Sequence, residues 1–82
     1  MADRELAGTI VAVVGATGGL GREIVAVLET RGATVVRAGR SGAVDVEVDL
    51  RDSAAGDTLV AYCLGAHGRL DGVIVAAGIV AF

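Results

Sequence analysis

Proline, tryptophan, lysine, asparagine and glutamine are all missing from this chain of 82 residues. Aromatic residues amount to Tyr62 and Phe82, so any core must be built from aliphatic side chains. One cysteine, Cys63, excludes an internal disulfide, and with His67 the only histidine there is no Cys/His cluster to hold a metal. No apolar run approaches the ~20 residues that a membrane-crossing helix requires. The charged start Met1-Ala2-Asp3-Arg4-Glu5 is not that of a signal peptide. A net charge of −3 gives no general attraction to nucleic acid or to an anionic membrane surface. These absences lead us to expect a protein of the reducing cytoplasm. Every basic residue is an arginine, which removes lysine-dependent catalysis.

What is present suits one small domain, with 54% hydrophobic residues to fill it. Thr9 to Val14 is a continuous apolar run, the pattern of a strand covered on both faces. From Leu20 the period becomes helical, with Leu20, Ile24, Val27 and Leu28 on one face. Arg31 and Gly32 should end that helix. Ala33 to Ala38 reads as a second strand, closed by Gly39-Arg40-Ser41-Gly42. Val44, Val46 and Val48 alternate with Asp45, Glu47 and Asp49, as a third strand near an edge would. Asp52 or Ser53 can cap a second helix running to about Ala66, with Leu59, Val60, Cys63 and Leu64 facing the sheet. Gly68 ends it, and Gly72 to Ala77 is the fourth strand. The order β-α-β-β-α-β favours an open parallel α/β sheet in which the strands lie 3-2-1-4.

Between the first strand and first helix lies Val14-Gly15-Ala16-Thr17-Gly18-Gly19-Leu20-Gly21. The first turn of a helix offers unpaired N–H groups and the positive end of its dipole, and an anion satisfies both. Glycine there allows positive φ and lets phosphate oxygens approach the backbone. The loop also falls where the strand order reverses, the position at which such sheets bind ligands. We therefore read it as a seat for a dinucleotide pyrophosphate.

At these residues the chain resembles the short-chain dehydrogenase/reductase family along nearly its whole length. Gly15, Gly19 and Gly21 match the family's Gly-x-x-x-Gly-x-Gly loop, while Gly15, Gly18 and Gly21 also fit the spacing of its extended branch. The usual threonine before the first glycine is Val14 here. Asp49-Leu50 stands where family members hold the adenine ring. Leu70 to Gly78 looks like the fourth strand, whose usual ending Asn-Asn-Ala-Gly is Val75-Ala76-Ala77-Gly78 here. The resemblance implies half of a doubly wound Rossmann fold spanning 1–82. It also implies cofactor contacts from Gly15, Thr17, Gly18, Gly19, Leu20, Gly21, Asp49, Leu50, Ala77 and Gly78.

An acidic residue after the second strand would bind the ribose of NAD; Gly39-Arg40 stands there instead. A guanidinium takes a phosphate bidentately, so Arg40 favours NADP, with NAD as the alternative, and Arg37 is the weaker candidate. Arg22 could approach the pyrophosphate or pair with Glu29. The family's proton donor is a tyrosine followed four residues later by lysine; Tyr62 is followed by Ala66, so no catalytic residue is expected. The chain then reads as stopping before the catalytic segment. His67 is expected to sit at a helix end as a dipole partner or plain surface residue, Cys63 to be a small buried hydrophobe, and Asp45 and Glu47 to form a solvated edge. An apolar fourth strand and tail at the sheet edge predict a homo-oligomer. Three functions stay open: a module that holds the dinucleotide, an oxidoreductase completed by another chain, and an assembly or folding fragment that binds no cofactor tightly.

Overall fold

A computed structural model describes residues 5–76. Four parallel strands, β1 (Ile10–Val14), β2 (Thr34–Gly39), β3 (Val46–Glu47) and β4 (Gly72–Val75), lie in the order β3-β2-β1-β4. The helices are α1 (Gly19–Thr30) and α2 (Ala55–His67). The expected topology is present, with β1 interior and buried along all its length.

Alternation along the strands divides the core into two layers. Ile10, Ala12, Val14, Val36 and Ala38 meet Val48, Ala55, Leu59 and Cys63 on one face. Val11, Val13 and Val35 meet Ala16, Val25 and Ala33 on the other. Every buried side chain among the described residues is apolar, and the core is aliphatic as the composition requires. Each fully buried valine of this set is worth about 1.5–3 kcal/mol.

Half of each helix face read from the sequence meets the sheet. Ile24 and Leu28 of α1 pack on the core and Leu59 and Cys63 of α2 are buried, but the other residues of each face turn outward. In α1 the deepest residues are Gly21 and Val25, while Leu20 and Val27 are 63% and 55% exposed. The reason is Gly21: its missing side chain lets α1 press against the glycine turn, which rotates Val25 inward. In α2, Leu59 and Cys63 are buried, but Val60 and Leu64 lie outside. The α2 N-cap is Ala54, without a side-chain cap; the Asp52 carboxylate instead accepts the Ala54 N–H at 2.9 Å and shapes the turn before the helix. The end of α1 is as expected: Gly32 at φ 98° donates to the Glu29 carbonyl, and Ala33 donates to Leu28. This is the Schellman pattern. Gly68, at φ 77°, ends α2.

The third strand is shorter than its valine alternation implies, because Asp45 ends the ladder. Its N–H donates to the Arg37 carbonyl while its carboxylate accepts the Arg37 N–H, both at 2.8 Å. Asp71 does the same to Ile10 ahead of β4, also at 2.8 Å in each direction. In both places a carboxylate stands in for the carbonyl that a further strand residue would supply. Asp45 is thus a pairing group of the edge and not merely part of a solvated face. Among the described residues no helix is long and apolar enough to cross a membrane.

Candidate functional site

The β1–α1 connection is held against the end of β2: the Gly15 and Ala16 N–H groups donate to the Ala38 carbonyl at 2.8 and 3.3 Å. Gly15 has φ 87°, and the Gly18 N–H donates back to its carbonyl at 3.2 Å, closing the turn. Gly21 is the spacer beneath it, since a Cβ there would lie 1.9 Å from the Gly15 oxygen. A Cβ on Gly19 would meet nothing within 4 Å. Two glycines therefore serve the turn itself, and Gly19 leaves an open approach to the helix start.

Among the described residues that start has no side-chain partner. Gly18, the N-cap, makes no side-chain cap, and the first turn of α1 contains no acidic residue. Gly18 borders a crevice of about 420 Å³. The walls are Val14, Gly15, Thr17 and Gly18 from the turn, Gly39, Arg40 and Ser41 from the end of β2, and Val48, Leu50 and Arg51 from beyond β3. All come from the carboxyl ends of three adjacent strands, where open parallel sheets bind ligands.

Of the residues read from the sequence, Gly15, Thr17, Gly18, Arg40 and Leu50 line this crevice. Gly19 and Leu20 lie exposed on the adjoining first turn of α1, and Gly21 lies buried beneath it. Asp49 faces a neighbouring shallow groove shared with Arg40, Glu47 and Val48. Ala77 and Gly78 lie outside the described residues. Arg37 belongs to the other side of the sheet, paired with Glu29 at 3.1 Å. That pairing engages the carboxylate suggested for Arg22, which lines a groove with Ala16, Val25 and Arg37 away from the crevice. Cys63 is fully buried, and burial pushes its thiol pKa up, as suits a small core hydrophobe.

Ser41 and Arg51 are walls that the sequence reading passed over. Arg51 follows directly on Asp49-Leu50, and that adjacency was the signal for it. Its Nη2 lies 2.8 Å from Asp49 Oδ2 and its Nε 3.1 Å from Oδ1, while its N–H donates to the same Oδ1 at 3.0 Å. These hydrogen bonds, and more weakly the charge of Arg40, lower the Asp49 pKa to about 2. Arg40 is exposed and makes no hydrogen bond or ion pair among the described residues. The crevice thus brings together an uncapped helix start, the exposed Arg40 guanidinium and the Arg51 guanidinium held by Asp49.

Two solved structures similar to this chain are dehydrogenases. A 3-alpha-hydroxysteroid dehydrogenase from Pseudomonas sp. B-0831, complexed with NADH, is 33% identical over 87% of this chain, with a TM-score of 0.72. The citronellol catabolism dehydrogenase of Pseudomonas aeruginosa PAO1 is 26% identical over 89%, with a TM-score of 0.74. This is the N-terminal part of the short-chain dehydrogenase/reductase fold. A third similar structure, the protein lin1944 from Listeria innocua, is 29% identical over 84% of the chain, with a TM-score of 0.64. The chain spans about a third of the length of these three proteins, 31%, 37% and 32% respectively. No family model matches the sequence, and no curated protein does.

Proposed function

We propose that this chain binds a nicotinamide dinucleotide through the Gly15–Gly21 loop and prefers NADP to NAD. The observation that carries the preference is Arg40, exposed on the crevice that Gly18 also lines and without an ion-pair partner among the described residues. The residues fit the group. Gly18 and Gly19 admit a pyrophosphate to the α1 amides, Val48 and Leu50 give an apolar wall for adenine, and Arg40 with Ser41 meets a 2′-phosphate. The NADH bound by the similar hydroxysteroid dehydrogenase supports a nicotinamide cofactor. We assign further contacts to Thr17, Leu20, Gly21, Asp49, Ala77 and Gly78 on the family resemblance.

The cofactor supplies a hydride when bound; this chain's part is to hold and orient it. Tyr62 is half-buried against the α2 layer, Ala66 stands four residues on, and no lysine exists to lower a phenol's pKa. General-acid help is worth ~10²–10⁴ in rate. We therefore propose that the chain turns over no carbonyl substrate alone, and that it works in the cytoplasm as part of an oxidoreductase or as a dinucleotide-binding module.

Calorimetric titration tests the reading. NADPH should bind tighter than NADH, and Arg40→Ala should reduce that preference by about tenfold, the value of one charge-assisted contact. Unchanged preference in Arg40→Ala would remove the NADP assignment, and no heat with either nucleotide would remove the function.

A further inference from the structure

We infer that Arg51 is a second recognition group for the 2′-phosphate of the dinucleotide, and that Asp49 is the positioning residue that aims it. The inference rests on the cofactor reading above and adds two residues to it.

A guanidinium has five N–H donors arranged along its edges. Asp49 takes one edge of Arg51, through Nε at 3.1 Å and Nη2 at 2.8 Å. The other edge, Nη1 with the second hydrogen of Nη2, has no partner among the described residues. Because Arg51 forms a wall of the crevice, that edge is available to an anion inside it. The Arg51 side chain is 79% exposed, so without Asp49 it would sample many rotamers. Held at both Nε and Nη2, it meets an oxyanion with its orientation already chosen.

The ligand chemistry follows from the other walls. Arg40 and Ser41 stand on the β2 side of the crevice and Arg51 on the far side, beyond β3. Two arginines and a serine line the same crevice as apolar Val48 and Leu50. A dianionic phosphate monoester beside a flat apolar ring matches these groups, and a neutral ribose hydroxyl leaves Arg40 and the open edge of Arg51 unmet. Asp49 alone would repel such a phosphate. Paired with Arg51, its charge is offset, and the depressed carboxyl keeps the pair intact at neutral pH.

Adenosine 2′,5′-bisphosphate and ADP are the probes, titrated calorimetrically into the full chain and into Arg51→Ala, Arg51→Lys and Asp49→Asn. Melting curves verify that each variant is folded. Arg51→Ala should lower the preference for the bisphosphate over ADP by about tenfold. Arg51→Lys keeps the charge but loses the fork, and should recover only part of it. Asp49→Asn should lower the preference by less than Arg51→Ala while leaving Arg51 in place. A preference unchanged in Arg51→Ala overturns the inference while the cofactor reading stands. Full recovery by Arg51→Lys overturns the bidentate geometry and the role of Asp49. Failure of the unsubstituted chain to bind ADP overturns the cofactor reading, and this inference with it.

Discussion

Asp45 and Asp71 each hold both the N–H and the carbonyl of one residue on the neighbouring strand, Arg37 and Ile10 respectively. For Asp71 this makes the beginning of β4 depend on the ionisation of the side chain. The Asp71 pKa lies below its usual value because Arg69 donates to the carboxylate and, secondarily, because the Ile10 N–H does. Asp49 is lowered further, to about 2. A depressed carboxyl contributes stability that is complete above its unfolded pKa near 3.8 and is lost as pH falls through the folded value. The midpoint of thermal unfolding should therefore be level above about pH 5 and drop as the pH approaches 2. In Asp71→Asn, which keeps an acceptor for Ile10 but cannot titrate, the drop should be shallower. Melting curves from pH 2 to 7 measure both, and identical slopes in the two proteins would refute the assignment to Asp71.

At the scale of elements, the two helices are not equally secure. α1 ends in a full Schellman motif and is set into the sheet by the Gly21 contact. α2 has an uncapped Ala54 start and carries Gly65 inside its last turns. A Cβ at Gly65 would meet nothing within 4 Å, so nothing in the packing requires glycine there. Gly65→Ala should stabilise the chain by about 0.5–1 kcal/mol, through helix propensity and a less flexible unfolded state. Urea denaturation measures this, and a loss of stability would show that the α2 surface is packed against something else. The contrast with Gly21 is instructive, because the same substitution there puts a methyl group onto a carbonyl oxygen.

For the whole molecule, the open question of packing lies at β4. It is the edge opposite β3, and Val73 and Val75 are 47% and 57% exposed along it. Leu20 and Val27 of α1, together with Ile74, form a second apolar surface on the α1 side of the sheet. Unpaired strand groups beside apolar side chains favour association. We propose that the chain forms a two-fold dimer through the exposed edge of β4. Sedimentation equilibrium at micromolar concentration should report twice the chain mass of 8.1 kDa, and Val75→Arg should shift it toward monomer. A compact monomer in the unsubstituted chain would exclude the dimer.

The strand order, the glycine turn and the end of α1 were legible in the residues themselves. They depend on short-range rules: valine runs, a period change at Leu20, and glycine where φ is positive at Gly15 and Gly32. Arg40 was legible for the same reason, since its position after β2 follows from the chain order. Which face of each helix meets the sheet was decided only in three dimensions, because Leu20 and Val27 satisfy the helical period as well as Val25 does. Gly21 breaks that tie through a contact with Gly15 that no periodicity contains. Arg51 entered the site in the same way: sequence places it one residue beyond Leu50, but only the folded crevice sets it opposite Arg40. Local pattern chose the elements, and steric contact between distant residues chose how they face one another.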